Sequence, residues 1–246
     1  MKLLMCIGVL VASTTALFAQ TKMGIKLLPG VTLTNIAQEK GDDIQSIYWG
    51  NHSGPGFGIG WFVDLPFAEN RAALSTGLSY SMKKFTMDIE TPIAIQIYNP
   101  EMQNSTEFLI LSDPQYLLHY LQVPLTVKVF TKSETKNYRF FLQGGATFEV
   151  KIAEQALDKA DNYLHQLSQV SNNGEMVFKS FDIGIYGALG CEWQLKNSHG
   201  IFGALSVNKG LLKQFNSLNW MPGLSKLDYY MNVKFVQVAM EFGYIF

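Results

Sequence analysis

Counting back from the terminal Phe246, every second residue of the last stretch, VQVAMEFGYIF, is apolar: Tyr244, Phe242, Met240, Val238 and Val236. Between them lie Ile245, Gly243, Glu241, Ala239 and Gln237. Side chains of a strand alternate across the sheet, so this stretch presents one continuous apolar face and one small or polar face that carries a carboxylate. A soluble barrel turns the apolar face inward. A barrel that crosses a membrane turns it outward, lines its interior with polar residues and collects aromatics at the interface. A stretch that ends on an aromatic of the apolar face fits the second arrangement.

The same alternation recurs upstream and predicts strands over 22–36, 56–67, 72–85, 119–130, 138–151, 181–195 and 201 to about 215. In the first, Met23, Ile25, Leu27, Val31 and Leu33 oppose Gly24, Lys26, Gly30, Thr32 and Thr34, and Pro29 is expected at an edge or a bulge. The fifth is the most regular, with Phe140, Leu142, Phe148 and Val150 against Arg139, Gln143, Thr147, Glu149 and Lys151. Short polar turns, AENR, TKSETKN and KNSHG, alternate with long connections. Within these, PIAIQIY and TEFLILS have strand composition and suggest a hairpin beyond the membrane. In AEQALDKADNYLHQLSQV, Ala156, Ala160, Leu164, Leu167 and Val170 recur at helical spacing and predict a short amphipathic helix. Each strand reaches the roughly 9–11 residues that a tilted membrane strand needs. Lipid offers no hydrogen bonds, so the eighth strand has to close on the first. The fold expected is all-β: a transmembrane, antiparallel, up-and-down barrel of about eight strands.

The first residues change the picture of location. Lys2, the apolar run from Leu3 to Ala12 and the small residues leading to Ala19 and Gln20 read as an export signal over residues 1–20, leaving 21–246 as one barrel domain in the outer membrane. Cys6 falls inside that signal, so Cys191 remains alone and no disulfide within the mature chain is expected. With 19 Lys and Arg against 20 Asp and Glu there is no basic footprint, which excludes nucleic acid as a partner.

The inward parity holds the candidate chemistry. A lumen polar network is expected from Lys26, Asp64, Lys128, Glu149, Glu192 and Glu241, with Gln122, Arg139, Gln143 and Gln194 on the same parity. Lys26 and Glu241 lie at similar distances from the two chain ends and are expected to pair across the closing seam, in one layer with Asp64, Lys128 and Glu192. Phe62, Phe141, Tyr186 and Phe202 point the same way. The network reads either as a wall held by ion pairs or as a gated passage for a small solute. His52, His119, His165 and His199 are scattered without metal-ligand spacing, and no phosphate-cradling glycine motif is present, so neither metal nor cofactor is expected. A lipid-modifying barrel enzyme needs a nucleophile and a base within reach. His119 has outward parity while Ser79 and Ser81 point inward, so no catalytic site is assigned. Phe242, Tyr244 and Phe246 are expected to serve as a C-terminal signal for the barrel assembly machinery.

Four segments, GIKLLPGVTLTNI, YLQVPLTVKVF at Tyr120 to Phe130, FFLQGGATFEVKI and VAMEFGYIF, together resemble the PorT-like outer-membrane β-barrel family. The resemblance spans the mature chain but not PIAIQIY or the 152–180 loop. It implies a small outer-membrane barrel and, for some members, a part in secretion or in maturation of exported proteins. Three functions follow as expectations: a non-enzymatic interaction or assembly module that meets a protein partner through loops 87–116 and 152–180, a narrow channel, or a lipid-modifying enzyme. In each case outer-membrane lipid surrounds the barrel.

Overall fold

A computed structural model describes residues 21–38, 49–51, 53–89, 93–98, 106–111, 115–131, 137–157, 178–195, 199–214 and 231–246. Residues 1–20, where the export signal is expected, lie outside them. The strands are β1 (Lys22–Leu27), β2 (Gly30–Gln38), β3 (Trp49–Asn51), β4 (Gly54–Phe67), β5 (Ala72–Ile89), β6 (Ile93–Tyr98), β7 (Thr106–Leu111), β8 (Gln115–Phe130), β9 (Tyr138–Ala156), β10 (Phe181–Gln194), β11 (Gly200–Gly210) and β12 (Met231–Ile245). Each main strand pairs antiparallel with its chain neighbours, and β12 closes the ring against β1 and β2.

β1 and β2 form one membrane strand. Leu27 opposes Phe242 and Gly30 opposes Ala239, so the register against β12 runs unbroken across Pro29. Pro29 therefore sits neither at an edge nor at a bulge, contrary to expectation. A closed ring has no edge, and the proline removes a single donor. Leu28 still exchanges hydrogen bonds of 2.8 and 3.0 Å with Gly58, and the Pro29 carbonyl accepts from the Met240 N–H at 2.9 Å. Pro124 is likewise internal to β8, opposite Thr147.

The alternation places side chains as lipid requires. Ile25, Trp61, Leu125, Leu142, Leu189 and Phe242 point outward and are exposed, while Lys26, Asp64, Lys128, Glu149, Glu192 and Glu241 point inward and are buried. Gln194 departs from this, since it ends β10 and is exposed. The last two boundaries differ from the pattern: β11 stops at Gly210 and β12 begins at Met231. Beyond β11 the chain stays alongside its neighbours, the Leu211 N–H donating to the Ile183 carbonyl at 2.8 Å and the Gln214 N–H to the Val233 carbonyl at 2.9 Å.

The start of the expected helix is strand. β9 runs on to Ala156 and pairs with β8, Ala156 opposing Tyr116, while residues 158–177 lie outside the described set. Cross-strand pairing outweighs the local helical spacing here. A bulge causes a second departure, because Tyr120 opposes Lys151 but His119 opposes Ala153, leaving Ile152 unpaired. One extra residue reverses the parity of everything after it. Glu154 is thereby turned into the lumen beside Lys151, although residues three apart on a regular strand face opposite ways.

β5, β8 and β9, at 18, 16 and 19 residues, exceed the roughly 9–11 that a membrane crossing uses, so their loop ends stand clear of the bilayer. β6 and β7 pair as the expected hairpin, Ile93 opposite Leu111.

Three phenylalanines fill the narrow interior by lying across glycines on the next strand. Phe62 opposes Gly24, Phe141 opposes Gly190 and Phe202 opposes Gly243. A Cβ at any of the three glycines would run into the facing ring. An eight-stranded interior is only just wide enough for its own side chains, so these three rings fit because the residue opposite is small. Overpacking typically costs about 1–3 kcal/mol. Gly243→Ala should lower the unfolding temperature of the barrel, followed by gel mobility without boiling, and Phe202→Leu in the same chain should recover part of the loss. An unchanged midpoint in the single variant would show that the ring has room to move.

Candidate functional site

The inward charges form groups stacked along the lumen. At the short-turn end, Lys128 on β8 lies 3.2 Å from the Asp64 carboxylate and 3.8 Å from that of Glu192. Glu192 also accepts from Lys22 at 2.9 Å and from Arg139 at 3.0 Å. The Lys128 ammonium stands 4.2 Å from the ring centre of Phe141, 5.1 Å from Phe202, 5.3 Å from Phe130 and 5.9 Å from Phe62. Aromatic faces are electron-rich, so these rings supply attraction where water is excluded. Arg139 stacks on Phe130 at 3.6 Å and donates to the Asn70 carbonyl at 3.3 Å, bracing the AENR turn. That turn needs bracing, because Ala68, Glu69 and Asn70 have φ of 49°, 57° and 64° in succession, each a left-handed conformation that costs a non-glycine residue about 1–2 kcal/mol.

Four residues further along β1, Lys26 reaches across the closing seam to Glu241 at 3.0 Å, and the Tyr186 hydroxyl donates to the other Glu241 oxygen at 2.6 Å. The expectation of one shared layer needs adjustment: Lys26 pairs with Glu241, while Lys22 below it joins the Lys128 group. Glu149 holds the next group, accepting from Lys83 at 2.5 Å, Asn208 at 2.6 Å and Gln122 at 2.8 Å. Lys83 also lies 4.5 Å from the Tyr120 ring centre. Toward the loops Lys151 pairs with Glu154 at 2.5 Å and donates to the Phe178 carbonyl. Asp182 accepts from the N–H groups of Ile183 at 2.8 Å and Leu212 at 3.1 Å.

Above these charges the rings of Phe85, Tyr116, Phe178 and Phe235 close on one another, with centroids 4.9 to 5.8 Å apart for the Phe85 contacts. All four are buried. Between the groups a cavity of about 20 Å³, lined by Lys26, Leu28, Gln122, Pro124, Tyr186 and Gln237 among others, has room for about one water.

Sequence parity missed several members. Lys22 and Lys83 share the inward parity of Lys26 and of Ser79 and Ser81, so alternation alone could have found them. Glu154 could not be found this way, because the bulge reverses its parity. Among the histidines, His119 stays outward, its Nδ1 2.5 Å from the Tyr80 hydroxyl, while Ser81 turns inward and donates to Gln237 at 3.2 Å. Ser79 is also buried on the lumen side. His199 stacks on Tyr244, and His52 and His165 lie outside the described residues. Among the described residues no group of His, Cys, Asp and Glu is placed to hold a metal. Phe242, Tyr244 and Phe246 project outward beside the short turns, where Phe140 and Trp193 extend the aromatic belt.

The outer membrane protein beta-barrel domain family matches this chain over residues 18–216. The chain belongs to that family. No curated protein matches it in sequence. Among solved structures it is similar to the outer membrane protein OprG from Pseudomonas aeruginosa, with 13% identity and a TM-score of 0.46 over 92% of this chain and 94% of that one. Neisserial surface protein A is similar at 8% identity and a TM-score of 0.38, over 89% of this chain and 95% of its own. Ail, the attachment invasion locus protein of Yersinia pestis, is similar at 10% identity and a TM-score of 0.34, over 92% and 99%. In an outer-membrane barrel of this family, short turns face the periplasm and long loops face outside. Lys22, Arg139 and the Lys128 group then mark the periplasmic end, and the four-ring closure the external end.

Apart from Asp182, held by backbone N–H groups, the buried charges described above are ion-paired, and removing one member of such a pair typically costs about 3–5 kcal/mol by stranding the other. Glu241→Ala should lower the unfolding midpoint in denaturant strongly in the natural chain and much less when Lys26→Met is already present. Equal losses in both backgrounds would mean that the seam pair contributes nothing as a pair.

Proposed function

We propose that this outer-membrane barrel is a non-enzymatic interaction or assembly module that engages a protein partner through its external loops, 87–116 and 152–180. In this reading residues 1–20 are removed as a signal peptide, and the barrel assembly machinery recognises the C-terminal Phe242, Tyr244 and Phe246. The observation that carries the reading is the filled lumen. Ion-paired groups occupy its length, four aromatic rings close on one another toward its external end among the described residues, and the cavity between the groups has room for about one water. A barrel without a through-path acts at its surfaces, and β5, β8 and β9 lift one of those surfaces clear of the bilayer.

The non-enzymatic part is supported by the lipid-facing His119, whose hydrogen-bond partner is Tyr80 rather than a serine. The resemblance to PorT-like barrels supports placing the partner among exported proteins, in their secretion or maturation. Two measurements test the proposal. In planar bilayers the purified protein should show no steady conductance, and a reproducible open channel would favour the solute-passage reading instead. In intact outer membranes, mild cross-linking should trap a partner that disappears when residues 90–113 or 158–177 are deleted, with the barrel still shifting on heating. Undiminished trapping with both segments gone would overturn the loop assignment.

A further inference from the structure

Most ion pairs in this lumen are single contacts. Among the described residues Lys26, Lys83 and Lys151 each meet one carboxylate at ion-pair distance. Lys128 meets two, Asp64 at 3.2 Å and Glu192 at 3.8 Å, and all three residues are buried. The two carboxylates are held differently. One Glu192 oxygen accepts from both Lys22 and Arg139, which fix its position, while the other faces Lys128 and has no hydrogen-bond partner. Asp64 contacts no cation but Lys128 among the described residues, and its Oδ1 is a buried oxygen without a donor. Glu149 and Glu241 differ again, because Asn208 and Gln122 donate to the first and Tyr186 to the second alongside their lysines. The rings of Phe62, Phe130, Phe141 and Phe202 stand around the Lys128 ammonium and keep water from it.

An amine, a carboxyl carbon and a second carboxylate to carry protons, packed together in a dry enclosure, are the parts that amide formation requires. We propose that Lys128 and Asp64 become covalently joined, through an amide between Lys128 Nζ and the Asp64 carboxyl carbon, with Glu192 as the proton carrier. Glu192 takes one proton from the ammonium, and the freed nitrogen lone pair attacks the carboxyl carbon. The N–C bond forms and one C–O bond of Asp64 breaks. Of the three ammonium protons, one leaves directly with that oxygen, one returns to it from Glu192, and the third stays on the amide nitrogen. One water is released, Glu192 ends as it began, and no other reactant is consumed. Two effects drive the step. Well-oriented groups in one molecule react as though at about 10⁵–10⁸ M, and a neutral amide is far easier to bury than two ions. The water has an exit beside Lys22, which is partly exposed at the periplasmic end. Because Asp64 lies on β4 and Lys128 on β8, the bond would span the lumen past β5 and tie together residues 64 apart in sequence. The periplasmic end would then be shut permanently, whichever partner the loops engage.

The test uses the full-length barrel purified from outer membranes. Its intact mass should fall below that of its mature sequence by one water, and tandem mass spectra of a digest should contain a branched peptide joining Lys128 to Asp64. Lys128→Arg and Asp64→Ala should each restore the full mass, while Lys83→Arg should keep the loss. Chain refolded from urea should gain the bond as it folds, and Glu192→Gln should slow that gain about 100-fold or more. The natural chain decides the matter even where a variant fails to fold. Residues 64 and 128 recovered on separate, unmodified peptides from the folded natural barrel would overturn the proposal, as would a water lost at any other pair of residues. An unchanged rate in folded Glu192→Gln would overturn the role given to Glu192.

Discussion

A strand in lipid has no water to satisfy its backbone, so both of its edges must be paired by protein. Every other feature of this barrel is arranged around that demand. It forces β12 onto β1 and β2 and fixes their shared register. It also explains how Pro29 and Pro124 can lie inside strands with neighbours on both sides. Once the ring is closed, one missing donor among many cooperative ladder bonds neither opens an edge nor shifts the register. In an open sheet the same residues would be confined to the rim.

Closure with eight strands leaves a lumen barely wider than the side chains that line it, and this second constraint selects the interior residues. Phe62, Phe141 and Phe202 each lie across a glycine of a neighbouring strand, at Gly24, Gly190 and Gly243. Charge is admitted with a countercharge or, for Asp182, with backbone N–H donors. Lys128 satisfies this with two carboxylates and four ring faces, and Lys26 with one carboxylate that Tyr186 also holds. The glycines and the aromatics of the sequence are thus two halves of one packing arrangement.

Alternation made the fold legible because the strand period of two is decisive when one face must meet lipid and the other must not. Lys26 and Glu241 could be brought together from their distances to the chain ends, since closure relates those ends. Two kinds of information stayed hidden. A bulge leaves no mark in hydropathy, so the inward turn of Glu154 and its pairing with Lys151 could not be read in advance. The stripe beginning at Ala156 has helical spacing, yet its first residues are held by the edge that β8 presents, a contact far away in sequence. Lys83 belongs to a different class, for its parity was visible in the sequence and its pairing with Glu149 was not.

The polar interior answers a question that stability alone leaves open. Replacing buried ion pairs with well-packed apolar residues is often neutral or favourable, so the pairs are not needed simply to hold the wall together. If the inward parity were apolar, however, β9 would become a continuous apolar run from Tyr138 to Ala153. Runs of that length approach the roughly 20 that enter a bilayer as a helix. A chain bound for the outer membrane must pass the inner one without lodging there, and the mean hydropathy of this chain is only +0.08. Polar residues on every second position keep each strand exportable, and the closed barrel then has to neutralise them in its lumen. The ion pairs are accordingly the folded state's answer to a demand made on the unfolded chain.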